Sequence, residues 1–343
     1  MRVAIFSTKP YDKRFFDEAN QRLIDNGGPS AGHEIGYFES RLTVESVSIA
    51  FGIPAVCVFT NDEVDPQVLS MLSGGGTKLV ALRCAGFNNT NLAEAARLGI
   101  TIARVPAYSP NAVAEHTIGL MLALNRKFYR AHTRVREGSF ELEGLLGFNL
   151  HGKTVGVIGT GRIGAIVSQI LTGFGCRVLL NDPRPNQSIT NYGAEYVALD
   201  TLFNESDVIT LHCPLTPETN HIINHEALSK TKRGVMLVNT SRGALIDPAA
   251  ALDALKAGQL GFLGLDIYEE ESDFFFHDLS GKVIPGEFSS QLMTFPNALI
   301  TGHQAFFTTE AMTAIAETTL NNLTTFERGE PLGLNEVTID MIR

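Results

Sequence analysis

Two groups of residues in this 343-residue chain are of types and spacings that could do chemistry. The first is Gly159-Thr160-Gly161-Arg162-Ile163-Gly164, directly after the apolar run TVGVI and at the opening of a helix-like stretch. In such a G-x-G-x-x-G the first glycine permits a tight turn and the second lets backbone approach a pyrophosphate. The third packs helix on strand. The phosphates would sit at the positive N-terminus of the helix. The next apolar run, VLLN, leads into Asp182, eighteen residues past Gly164. A carboxylate there can accept hydrogen bonds from an adenosine ribose and repel a 2′-phosphate. Glycines alone fit a merely structural turn with a solvated Asp, but strand, glycines, helix, strand and acid together point to a dinucleotide. Arg184, two residues on, could stabilise a 2′-phosphate and admit NADP. The reading adopted is NAD, with Arg184 exposed on a loop.

The second group answers the needs of a nicotinamide enzyme acting on a 2-oxo acid. A cation must clamp the carboxylate, an acid must protonate the carbonyl oxygen, and a third group must tune that acid. Arginine matches a carboxylate with two hydrogen bonds. Histidine titrates near neutrality, and a neighbouring carboxylate favours its charged form. Arg242 follows VNTS, Asp266 and Glu271 follow LGL, and His303 follows ALITG. Each comes after a strand-like run, where an open α/β sheet places its ligands. Spacing alone does not single out His303 among nine histidines. His116, inside a long apolar helix, reads as a packing or capping residue. Arg242 could equally bridge domains, and Glu269-Glu270-Glu271 could be a solvated face.

The elements that must position these residues follow an α/β alternation. VAIF, AVCVF, KLVAL and ITIARV are strand-like runs in the first third of the chain. Asp65-Pro66 and Ser109-Pro110 read as a cap followed by proline in the first turn of a helix. Residues 26–36 read as a surface loop. From Ala112 to Arg130 one helix is expected, apolar on most faces, at a domain or subunit junction rather than in one core. A second unit of about six strands starts near Lys153, and a helix over Thr308 to Glu327 is expected to return to the first domain.

Composition narrows the field. The hydrophobic fraction of 44% allows substantial cores, and the length suggests two domains. With 27 basic and 37 acidic residues the formal charge is −10, which disfavours nucleic acid as a partner. Cys57, Cys84, Cys176 and Cys213 are far apart, with no metal-ligand spacing. No apolar run is long enough for a signal peptide or a membrane span, so a reduced cytoplasmic location is expected.

Read together, RCAGFNN (Arg83 to Asn89), VPAYSPNAVAEHTIG, GKTVGVIGTGRIG, SDVITLHCPLTPET, VNTSRGALID, LGLDIYEEE and GHQAF resemble the D-isomer-specific 2-hydroxyacid dehydrogenases. Within that family they are most similar to the lactate branch. The resemblance implies two Rossmann-like and flavodoxin-like domains with parallel sheets. An NAD domain, 104–305, would be inserted into a discontinuous substrate domain, 1–103 with 306–343, with the active site in the cleft between them. It implies NADH-dependent, reversible reduction of pyruvate to D-lactate. Arg242 would bind the carboxylate, His303 would be general acid and base, and Glu271, five positions after Asp266, would hold its imidazole. Asp266 would contact the nicotinamide side. Gly159, Gly161, Arg162, Ile163, Gly164, Asp182, Cys213, Pro214, Thr219, Thr240, Ser241 and Arg242 would line the cofactor. Ala85, Gly86 and Tyr108 would complete carboxylate recognition, and Phe306 would be an aromatic pocket residue. The Arg83–Asn89 loop would close over the substrate. Phe274, Phe275 and Phe276 could cover the site and favour a small substituent, or plug the underside of a long loop. A homodimer or homotetramer through the 109–130 region is expected. Two other readings are a reductase of a bulkier 2-oxo acid, such as 2-oxoisocaproate or phenylpyruvate, and a nonenzymatic NAD-sensing corepressor.

Overall fold

A computed structural model describes residues 1–269, 279–282 and 286–342. Glu271 and Phe274, Phe275 and Phe276 lie outside the described residues. The chain divides into two compact units, Met1–Ser109 with Phe307–Arg343, and Pro110–Phe306. The first switch falls later than the expected 103/104. The Val105 N–H still bonds the Cys84 carbonyl (3.1 Å), and the next helix begins only at Pro110. At the return, Phe306 stays with the second unit, where its ring packs edge-on to His303.

The first unit opens with β1 (Arg2–Ile5), α1 (Pro10–Gly27), β2 (Glu34–Tyr37), β3 (Ala55–Val58), α2 (Pro66–Gly74), β4 (Leu79–Leu82), α3 (Leu92–Leu98) and β5 (Thr101–Arg104). Its sheet runs β2-β1-β3-β4-β5, all parallel. Strands β3 and β4 are buried along their whole length, so their continuous apolar runs reflect cover on both faces. Asp65 caps α2 by accepting from Val68 N–H (2.8 Å), with Pro66 in the first turn. The expected loop over 26–36 is not all loop. A short 3₁₀ turn spans Pro29–Ala31, and β2 begins at Glu34. As an edge strand pairing only with β1, EIGY is half-exposed and lacks the apolar signature of its neighbours.

The second unit contains α4 (Pro110–Arg126), α5 (Phe128–Arg136), β6 (Thr154–Ile158), α6 (Arg162–Gly173), β7 (Arg177–Asn181), β8 (Glu195–Tyr196), α7 (Leu199–Glu205), β9 (Val208–Leu211), α8 (His225–Ser229), β10 (Val235–Asn239), α9 (Pro248–Ala257), β11 (Leu260–Leu265), α10 (Glu287–Leu292) and β12 (Ala298–Ile300). Seven parallel strands run β12-β11-β10-β9-β6-β7-β8, one more than expected because β8 is only two residues long. The single helix expected to reach Arg130 breaks at Lys127, whose φ of +51° lies in the left-handed region. The buried face of α4 is covered by its own unit. Ala114, Ile118, Met121 and Leu124 join the core formed by β6, β7 and α6. The apolar side chains left exposed lie farther along, at Phe128, Val135, Phe140, Leu142 and Leu146.

The chain then returns to the first unit with α11 (Thr309–Glu327), which packs on α1 and over β4 and β5. Thr308 caps it by accepting from Ala311 N–H.

Candidate active site

The dinucleotide turn is built by close approach. Gly159, at φ +93°, follows β6, and a Cβ there would sit 2.4 Å from Cys213 N. A Cβ on Gly164 would sit 2.0 Å from the Gly159 carbonyl oxygen. The middle glycine is different, since a Cβ on Gly161 would meet no protein atom within 4 Å. So the outer glycines are required by the protein's own packing, whereas Gly161 leaves an open face at the N-terminus of α6. That is the shape a pyrophosphate needs. The turn lies at the centre of the sheet, where β7 departs to one side of β6 and β9 to the other, a topological switch point.

Asp182 follows β7, half-buried. Its carboxylate accepts from Thr160 N–H (2.7 Å) and Arg184 N–H (2.7 Å), which ties the acid to the glycine turn. Arg184 is exposed. These residues fit an adenine dinucleotide: an open glycine face, a free helix end, and a fixed carboxylate one strand away.

Beyond β9, Cys213 is nearly buried, and burial pushes its thiol up to about 11. Its carbonyl accepts from Ser241 Oγ (2.7 Å), joining the ends of β9 and β10. Thr219 Oγ1 donates to the Pro214 carbonyl (2.7 Å) and so folds that loop on itself. Thr240 is buried, with its hydroxyl 2.9 Å from that of Thr117.

Arg242 leaves β10 on a turn fixed by Asn239, whose side chain donates to the Arg242 carbonyl (2.8 Å) and accepts from Ser241 N–H (2.9 Å). The half-buried guanidinium donates through Nη1 to the Ser241 carbonyl (2.7 Å). No acidic side chain is recorded within ion-pair distance of it among the described residues. Gly243 follows because a Cβ there would meet the Tyr268 carbonyl carbon at 2.3 Å.

Asp266 and His303 stand at the ends of β11 and β12. Asp266 N–H bonds the Asn239 carbonyl (3.0 Å), and His303 N–H bonds the Asp266 carbonyl (2.9 Å). Arg242, Asp266 and His303 therefore rise from adjacent strands on one edge of the sheet. The Asp266 carboxylate is fully buried and accepts from this turn's own groups, Thr301 Oγ1, Gln304 N–H and Ala305 N–H. Burial pushes its pKa up, but donors from His116, Thr301, Ala305 and Gln304 outweigh that and hold it below the usual Asp value. The His303 and Phe306 rings meet edge to face at 6.2 Å.

In the first unit, Ala85 and Gly86 follow β4 and are half-buried, as is Tyr108. Arg104 donates to the Ala85 carbonyl (3.2 Å) and lies over the Phe87 ring (5.3 Å). Arg83 is an anchor and not part of an exposed loop. It is buried, donates to the carbonyls of Phe6 and Ser7 (2.9 Å each), and faces Asp12 at 3.6 Å. Three features had no sequence signal of their own. They are the Arg83–Asp12 pair, Arg104 under the Ala85 loop, and the His116–Asp266–Thr301 group, because each joins residues far apart in the chain.

Among the described residues no cluster of His, Cys, Asp and Glu could hold a metal, and no helix is long and apolar enough to cross a membrane.

Comparison with known proteins agrees with this architecture. Residues 118–305 match the family model of the D-isomer specific 2-hydroxyacid dehydrogenase NAD binding domain. The chain is 51% identical to D-lactate dehydrogenase of Escherichia coli K12, over 96% of this chain and 98% of that protein. It is 50% identical to 2-hydroxyacid dehydrogenase homolog 1 of Schizosaccharomyces pombe, over 95% and 96% of the two chains. A solved structure described as the pyruvate reductase of Chlamydomonas reinhardtii superposes with a TM-score of 0.91 at 41% identity, covering 97% of this chain and 98% of that one. With its glycine turn, fixed acid and parallel sheets, the chain belongs to the D-isomer-specific 2-hydroxyacid dehydrogenases, NAD-dependent oxidoreductases.

Proposed function

We propose that this enzyme reduces pyruvate to D-lactate, reversibly. The observation that carries the reading is the placement of Arg242, Asp266 and His303 at the ends of three adjacent strands, on the same edge of the sheet as the glycine turn. Half-identity over nearly the full chain to a D-lactate dehydrogenase supports the choice of substrate. Bound NADH supplies the hydride. Arg242 forks the substrate carboxylate and stabilises negative charge on the carbonyl oxygen as it develops. His303 gives that oxygen its proton in reduction and takes it back in oxidation. Glu271, which the family resemblance pairs with that imidazole, is the third member of the set. Ala85, Gly86 and Tyr108 of the first unit complete carboxylate recognition, and Phe306 lies against the substrate methyl. Gly159, Gly161, Arg162, Ile163 and Gly164 receive the pyrophosphate and Asp182 the adenosine ribose. Cys213, Pro214, Thr219, Thr240 and Ser241 line the rest of the cofactor site. The same reading makes the first unit, Met1–Ser109 with Phe307–Arg343, the substrate domain, and places the enzyme in the cytoplasm.

The same reading makes the protein a homodimer or homotetramer. The contact expected at 109–130 is proposed to continue past α4, where Phe128, Val135, Phe140, Leu142 and Leu146 are exposed and offer an apolar surface for another subunit.

The test is NADH oxidation with pyruvate, 2-oxoisocaproate and phenylpyruvate, followed by chiral separation of the product. Pyruvate is expected to give the highest kcat/KM, and the lactate formed is expected to be the D-isomer. Predominantly L-lactate, or NADH binding without reduction of any of the three, overturns the proposal.

A further inference from the structure

His303 sits in a conformation that side chains with a Cβ seldom adopt, and a specific group of residues centred on the buried Asp266 keeps it there. Its φ is +51°. Such a backbone persists where the surroundings over-determine it. Here the surroundings converge on Asp266. The Asp266 carbonyl accepts from His303 N–H (2.9 Å). Its carboxylate accepts from the next two peptide groups, Gln304 N–H (2.9 Å) and Ala305 N–H (2.8 Å). Three consecutive backbone donors are thus held by one residue.

Asp266 is itself held from behind. Thr301 Oγ1 donates to its Oδ1 (2.5 Å), and His116 Nε2, from α4, lies 3.4 Å from the same oxygen. His116 Nε2 also lies 3.2 Å from Thr301 Oγ1. The single hydroxyl proton of Thr301 is committed to the carboxylate, so its oxygen can only accept from the imidazole. His116 therefore carries a proton on Nε2 and points it at both oxygens. A fully buried carboxylate depends on every donor it has. Removing His116 is expected to weaken the hold that Asp266 keeps on the two peptide groups, and with it the left-handed turn.

We infer that His116 is a positioning residue for the proton-transfer step. Acting through Asp266 and Thr301, it holds the turn that aims the His303 imidazole. The inference rests on the proposed role of His303 as general acid. It does not require His116 to touch substrate or cofactor.

Two variants separate aiming from folding. His116→Leu keeps bulk and removes the donor, while His116→Gln returns an N–H near the position of Nε2. Both are compared with wild type for kcat and KM with pyruvate, the D₂O effect on kcat, NADH affinity by fluorescence, and thermal midpoint. His116→Leu is expected to lower kcat about 10- to 100-fold, part of the roughly 10²- to 10⁴-fold that a positioned acid contributes. The D₂O effect is expected to grow as proton transfer becomes limiting, with NADH affinity held within about twofold. His116→Gln is expected to recover most of kcat. If His116→Leu does not fold, Thr301→Val, which cuts the same link, is expected to give the same kinetic pattern. Wild-type kcat in His116→Leu, or in Thr301→Val where that stands in, overturns the inference. So does a loss that Gln fails to rescue, or a loss with no change in the D₂O effect. His303→Ala, run in parallel, tests the underlying reading. If it keeps wild-type kcat, the general-acid role fails and the inference with it; if only the His116 variants behave as wild type, the inference alone fails.

Discussion

Arg242 and His303 are held by backbone in opposite ways. Arg242 is extended, at φ −143°, and its turn is shaped by one asparagine side chain. What Arg242 contributes is therefore its fork of donors more than its backbone. In Arg242→Lys the ammonium replaces a two-point clamp with a single point charge. The KM for pyruvate is expected to rise roughly 10- to 100-fold, since a hydrogen bond to a charged group is worth about 1.5–3 kcal/mol. A wild-type KM in steady-state kinetics would remove Arg242 from the clamp. His212 illustrates a residue shaped by the site without acting in it. It lies behind the glycine turn, and burial pushes its imidazole down to about 3. The folded protein thus keeps His212 neutral while the unfolded chain protonates it near the ordinary 6.5. Stability is undiminished above that value and falls as pH drops from it toward the folded pKa. The slope from this group is at most about 1.4 kcal/mol per pH unit. Urea unfolding of wild type and His212→Gln between pH 7 and 5 should show the variant losing less stability over that interval. Parallel curves would mean that His212 is not the source.

At the scale of elements, the glycine turn is a junction between β6, α6 and β9 with no spare volume at two of its three glycines. A methyl group on Gly164 must displace the Gly159 carbonyl, which is backbone and cannot swing aside. Gly164→Ala is expected to cost about 1–3 kcal/mol in stability, as for overpacked cores, and to weaken NADH binding at least about tenfold by pushing α6 off the turn. Fluorescence titration and thermal melts check this, and an unaltered Kd would show that the turn can yield. How much could be read in advance follows from the same packing. Strands β3, β4, β6 and β10 were legible as apolar runs because they are buried along nearly all their length. β2 and β8 were not, being a half-exposed edge and a two-residue pair. The break at Lys127 carries neither proline nor glycine to announce it. Gly159, Asp182, Arg242 and His303 could be proposed because each follows a strand with a residue type suited to the chemistry. The His116–Asp266 link could not, because a histidine in an apolar helix has the same local sequence whether it packs inertly or reaches a distant carboxylate. The burial of Arg83, in the loop after β4, was equally illegible, since its partner Asp12 lies in α1, on another strand connection.

For the whole molecule, exposed apolar surface and net charge bear on the proposed assembly. A chain with a formal charge of −10 resists indiscriminate self-association, so the exposed Phe140, Leu142 and Leu146 favour one particular contact over general stickiness. Replacing Leu142 and Leu146 together with Glu is expected to shift the proposed oligomer to monomer in sedimentation or light scattering. An unchanged mass would place the subunit contact elsewhere. The path of the chain carries a different consequence. The first unit is completed by Phe307–Arg343, after the whole of the second. Asn322 donates to the Arg104 carbonyl (3.0 Å), Val337 N–H bonds the Ile102 carbonyl (2.8 Å), and α11 covers β4 and β5. On the ribosome, residues 1–109 emerge before residues 110–306, yet must wait for that whole stretch to be made before α11 can dock. Residues 110–306 are contiguous and can fold while synthesis continues. The unit made first is thus finished last, and a nascent chain stalled before α11 would expose the apolar faces of β4 and β5 to chaperones.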